Sequence, residues 1–120
     1  MKIAVSSRGR ELSSMVDDRF GRAEYFVIMD TDTGEISAID NAQNVTAAQG
    51  AGVQAAERIV NTGVRAVITG HCGPKAFRAL SAAGVAVFTN AHGSVPSALA
   101  QFEAGKLREA HSADVESHWS

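Results

Sequence analysis

Ala66-Val67-Ile68-Thr69-Gly70-His71-Cys72-Gly73-Pro74-Lys75-Ala76-Phe77-Arg78-Ala79-Leu80 divides into three pieces. The first four residues form an apolar β run, and Gly70 to Gly73 break it. Pro74 stands where a first-turn proline belongs, and Phe77 and Leu80 share one face of the helix that follows until Gly84. Strand, turn and helix repeat downstream: Val85-Ala86-Val87-Phe88 is a strand, Ser94 an N-cap and Pro96 a first-turn residue, with Leu99 and Phe102 facing inward before Gly105. Upstream, Thr46 and Gln49 fit a capping box, and Val53, Ala56 and Val60 recur at helical spacing before Gly63. Ile3-Ala4-Val5 is a short buried strand, and Tyr25–Met29 folds back through Asp30-Thr31-Asp32-Thr33-Gly34 onto Ile36–Ile39, whose polar character suits a sheet edge. The order predicts an α/β domain with a mixed five-stranded sheet, an antiparallel hairpin joined to parallel βαβ strands, and about three helices.

The chain has 120 residues, enough for one core, of which 45% are hydrophobic and 20% charged, inside the ordinary globular range. A formal charge of -2 gives no basic field for a polyanion, so no nucleic-acid partner is expected. Cys72 is the only cysteine, which excludes an internal disulfide framework and fits a reducing, cytoplasmic setting. One cysteine also cannot build a four-thiolate cage for an iron-sulfur cluster. No apolar run is long enough for a signal peptide or a membrane span, so no membrane partner is expected. The chain turns polar after Gly105, so residues 1–107 read as the domain and 108–120 as a flexible or loosely docked tail.

Ligands of open α/β sheets collect beyond the carboxyl ends of the parallel strands. That rule selects three loops: Ser6 to Arg10, Gly70 to Pro74 and Thr89 to Ser94. The second is the richest. Gly70 and Gly73 would let backbone approach a ligand around His71 and Cys72, and the helix start at Pro74 would favour a thiolate. The competing structural reading makes Cys72 a small buried hydrophobe. His92 is less specific, and His111 and His118 fall in the polar tail.

Three motifs compete for the chemistry. His71-Cys72 with Arg78 reproduces the His-Cys-x5-Arg spacing of cysteine phosphatases, but Pro74 removes an amide from the loop that would cradle phosphate, and Ala79 replaces a hydroxyl residue. Gly50-Ala51-Gly52-Val53-Gln54-Ala55 matches a dinucleotide fingerprint in letters, yet it does not follow a strand immediately and has no acid about twenty residues on. A two-metal nuclease site would need converging carboxylates, whereas Asp17, Asp18, Asp30, Asp32 and Asp40 read as turn formers and solubilising charge. An adaptor or sensor role, with His118 and Trp119 docking a partner protein, is a further alternative.

Asp18-Arg19-Phe20-Gly21-Arg22-Ala23-Glu24-Tyr25-Phe26, with Gly50-Ala51-Gly52, Gly70 to Ala76 and Phe102 to Leu107, resembles the dinitrogenase iron-molybdenum cofactor biosynthesis (NifX-like) family. The resemblance runs from Lys2 to about Leu107 and implies a ribonuclease H-like three-layer fold without nuclease activity. It implies a non-catalytic protein that binds, carries or helps assemble a molybdenum- or iron-containing sulfide cluster, with a protein recipient or an ATPase as partner. The chain is also similar to the orange-protein subgroup, which implies a non-covalently held molybdenum-copper sulfide cluster. Such a cluster brings its own sulfides, so amides, cations and apolar walls suffice to hold it. Many relatives carry histidine before the Phe-Gly pair and before the Gly-Ala-Gly stretch, where this chain has Arg19 and Gln49. Arginine at that point favours electrostatic holding over metal bonding. The expected site therefore comprises Arg8, Arg19, Phe20, Gly21, Arg22, Gly70, His71, Cys72, Gly73 and His92, with Cys72 and His71 as the candidate metal ligands.

Overall fold

A computed structural model describes residues 1–45 and 50–113. Its strands are β1 (Lys2–Ser7), β2 (Tyr25–Asp30), β3 (Ile36–Asp40), β4 (Ala66–Ile68) and β5 (Ala86–Phe88). Its helices are α1 (Ala42–Val45), α2 (Ala51–Asn61), α3 (Pro74–Ala82) and α4 (Val95–Glu103), so three of the four are long. The five strands form one sheet in the order β3-β2-β1-β4-β5. β1 pairs antiparallel with β2 and parallel with β4, while β4 and β5 are parallel. The hairpin arm β3 lies at one edge, and its polar sequence matches that position.

Alternation along the central strands divides the core into two layers. Ala4 of β1 and Val67 of β4 face a cluster with Ala55, Ala56 and Ile59 of α2 and with Ala76 and Leu80 of α3. Ile3, Val5, Ala66 and Ile68 face the other way, onto Val95, Ala98 and Leu99 of α4. The sheet is thus sandwiched between α2 and α3 on one side and α4 on the other, the three-layer arrangement expected from the sequence.

The helix boundaries follow from local chemistry. Pro74 opens α3, and Ser94 caps α4, its Oγ accepting from Ser97 N at 3.2 Å. Gly63 ends the α2 segment at φ 85°, a conformation that costs a residue with a side chain strain. α2 begins at Ala51, after the short α1, and the Thr46–Gln49 capping box lies outside the described residues. The dinucleotide-like glycines therefore sit at a helix that follows another helix rather than a strand.

Glu109 bridges Phe88, and Ala110 N donates to Val87 O at 2.8 Å, so the chain stays tied to the β5 edge beyond residue 107. Leu107 packs into the α4-side cluster together with Phe88 and Phe102, whose rings meet edge to face at 5.0 Å. A strand edge with unpaired backbone groups recruits such a strap, which no local pattern in a polar segment announces. Residues 114–120, with His118 and Trp119, lie outside the described part. Among the described residues no helix is long and apolar enough to cross a membrane.

Candidate functional site

β1, β4 and β5 run parallel, so their carboxyl ends deliver the three loops to one end of the sheet. There the loops are hydrogen-bonded to one another. Asp17 N donates to Ser6 O (2.9 Å), Val16 N to Gly93 O (2.8 Å) and Asn90 N to Gly70 O (2.8 Å). The Ser6 hydroxyl, fully buried, donates to Asp17 O (2.7 Å) and lies 2.7 Å from Thr69 Oγ1.

The decisive pairing joins residues 18–20 to residue 71. His71 N donates to Asp18 O (2.7 Å) and Phe20 N to His71 O (3.1 Å), making a parallel bridge between Arg19 and His71. Residues facing each other across a parallel bridge carry their side chains on the same side, and their neighbours point the opposite way. On the C-terminal side of the bridge burial follows that alternation, whereas Asp18 on the other side is exposed. Phe20 and Cys72 are 0% exposed and belong to the core cluster under α2 and α3, with the Phe20 and Phe26 rings 5.1 Å apart. Arg19 and His71 are half-buried and share the outer side. The paired backbone thus has an inner row that packs and an outer row that carries cationic and imidazole groups.

This ribbon forms only because residue 70 is glycine. A Cβ on Gly70 would lie 2.6 Å from Asp18 O and 2.8 Å from Asp18 Cα. At Gly70 the close approach is that of the chain's own backbone. Asp17 is a turn former as expected, but buried rather than solubilising: its Oδ1 accepts from Arg19 N at 3.1 Å. That bond sets the entry to the ribbon as an Asx turn. Asp30 and Asp40 do act as turn formers, accepting from Asp32 N (2.9 Å) and Ala42 N (2.7 Å).

The ten candidate residues therefore divide. Phe20, Gly21, Gly70, Cys72 and Gly73 are buried, whereas Arg8, Arg19, Arg22, His71 and His92 reach solvent to differing degrees. Arg8 extends outward with its guanidinium 4.0 Å from the Asp18 carboxylate, both side chains about 60% exposed (62% and 60%). It also borders a shallow cavity of about 430 Å³ with Glu24, Tyr25 and Ala42, and the Arg10 guanidinium stands 5.7 Å from the centre of the Tyr25 ring. His92 is exposed on the third loop, its Nδ1 3.3 Å from Asn90 O.

The Cys72 thiol lies in the core, its Sγ donating to Gly73 O at 3.7 Å. A cysteine phosphatase needs a thiolate open to in-line attack with its arginine over the same phosphate. Cys72 is enclosed while Arg78 is exposed on α3, so the His-Cys-x5-Arg spacing does not assemble that site. Among the described residues no group of three or more His, Cys, Asp or Glu side chains could hold a metal ion. The turn and the ribbon carry the half-buried Arg19, Arg22 and His71, with exposed Arg8 beside Asp18, and guanidinium and imidazole groups are suited to holding a compact anion.

Two buried amides were not singled out by the sequence reading. Asn41, after β3, donates from Nδ2 to Gly21 O (3.1 Å) and Ala23 O (2.8 Å), and Asn44 of α1 donates to Asn41 Oδ1 (2.8 Å). Asparagine after an edge strand looks like ordinary turn chemistry, so only their burial could have marked them.

Comparison with known proteins identifies the fold and the family. The apo orange protein of Desulfovibrio gigas superposes with a TM-score of 0.92 and 37% identity, covering 95% of this chain and 96% of that one. A Thermotoga protein solved by NMR and provisionally assigned as a NifB protein shares 38% identity at a TM-score of 0.82, covering 95% and 98%. An uncharacterised protein from Methanocaldococcus jannaschii is 32% identical over 111 residues, 91% of each chain. Residues 1–105 match the family described as dinitrogenase iron-molybdenum cofactor, and the chain belongs to that NifX-like family.

Proposed function

We propose that this protein binds a small anionic metal-sulfide cluster, containing molybdenum and in the orange-protein manner also copper, and carries it or helps assemble it without catalysing a reaction. The observation that supports this most is the Arg19–His71 bridge, which sends a half-buried arginine and a half-buried histidine side chain to the same side of the paired backbone. Arg22 follows in the same turn, Arg8 stands beside Asp18, and His92 is on the third loop. The buried Cys72 is no obstacle, because a cluster that already carries sulfide needs charge neutralisation and hydrogen bonds rather than thiolates. Of the two candidate metal ligands His71 is the more accessible, and an imidazole suits copper as well as iron. The cluster is cargo, handed to or received from a protein partner in a cytoplasmic setting.

The test is uptake. Apo protein incubated with tetrathiomolybdate, alone and with copper, is desalted and assayed for molybdenum, copper and visible absorption. The proposal predicts a coloured protein of fixed metal stoichiometry whose binding weakens as salt rises, because arginine–anion attraction at a surface is screened. A colourless protein free of both metals would overturn it.

A further inference from the structure

The Arg19–Arg22 turn is held from two sides. One side is the backbone pairing with His71, closed within the turn by Ala23 N donating to Phe20 O at 3.4 Å. The other is Asn41, 1% exposed, whose Nδ2 reaches both Gly21 O and Ala23 O while its backbone N donates to Glu24 O at 2.9 Å. A carboxamide can be turned half a revolution with almost no change of shape, so something must decide which end meets those two carbonyls. Asn44 decides it. Its Nδ2 engages Asn41 Oδ1, which leaves the Asn41 N–H groups for the turn.

Asn44 is itself 0% exposed, and its own Oδ1 has no hydrogen-bond partner among the described residues. A buried acceptor without a donor is unfavourable, and an apolar side chain at this position would avoid it. What the apolar side chain could not do is orient Asn41.

We infer that Asn41 is a positioning residue for the arginine turn and that Asn44 locks its amide, so the pair sets how Arg19 and Arg22 stand beside His71. This rests on the anion-binding reading of that edge. Neither asparagine is placed in contact with the ligand. Their effect runs through the Gly21 and Ala23 carbonyls.

The test compares three variants with the wild type. Asn41→Asp keeps the shape but sets a carboxylate against two carbonyl oxygens, Asn44→Leu removes both the lock and the orphan acceptor, and Ile59→Ala weakens the same core away from the turn. Asn41→Asp and Asn44→Leu should weaken tetrathiomolybdate binding about tenfold or more, the scale seen when supporting partners of a site are lost. Ile59→Ala should lower Tm with affinity intact, and Asn44→Leu should lose affinity out of proportion to any change in Tm. Affinity that falls only in step with Tm across all three would overturn the inference. If the wild type binds no tetrathiomolybdate, the proposed function fails, and amide hydrogen exchange across Gly21–Ala23 still decides the positioning role. Faster exchange there in Asn41→Asp supports the role, and unchanged exchange contradicts it.

Discussion

The inner and outer rows of the 18–20 and 70–72 ribbon share one backbone and perform different work. Phe20 and Cys72 point into the core beneath α2 and α3, where shape and volume decide their energetics. Arg19 and His71, one residue away on each strand, stand on the half-exposed side where charge decides. Neighbouring positions of an extended segment face opposite environments, so adjacency in sequence is no guide to shared chemistry. His71-Cys72 looks like a ligand pair and is split by this alternation.

The contrast can be broken from the inner side first. Phe20→Ala removes a fully buried aromatic ring, and urea unfolding should show a loss of about 4 kcal/mol. A loss under about 1 kcal/mol would mean that the inner row does not carry the packing assigned to it. Gly70→Ala forces a methyl group against the Asp18 carbonyl and should cost about 2 to 3 kcal/mol, separating the two strands and disturbing both rows together. Cys72→Ala deletes only a small buried thiol and should cost about 1 kcal/mol, with tetrathiomolybdate uptake unchanged. Arg19→Ala is the mildest for the fold, within about 0.5 kcal/mol of wild type, since its side chain sits at the partly solvated edge.

Much of the architecture was legible beforehand. Alternating strands, Pro74 and Ser94 at helix starts and the glycine stops are local signals, and they produced the sheet, the hairpin edge and the three long helices. The convergence of three loops followed from the rule that parallel strands deliver their carboxyl ends together. What could not be read locally was which side of the ribbon each site residue takes. That depends on the pairing of Asp18 to Phe20 with His71, a contact between segments far apart in the chain. The same holds for Gly70, whose requirement comes from Asp18, and for Asp17 and Asn41, polar residues whose burial arises only when the loop closes. Glu109 and Ala110 were hidden for a related reason, because a strap over a sheet edge needs only backbone groups and leaves little trace in side-chain pattern.

The most direct test of the account sets the two rows against each other in one binding experiment. Purified Cys72→Ala and the Arg19→Ala, His71→Ala double variant are titrated with tetrathiomolybdate and copper under the same buffer, with metal content and visible absorption as readouts. The account predicts that the inner-row variant takes up the cluster as wild type does, while the folded outer-row variant loses most of its uptake. Uptake abolished in Cys72→Ala and retained in the double variant would contradict it.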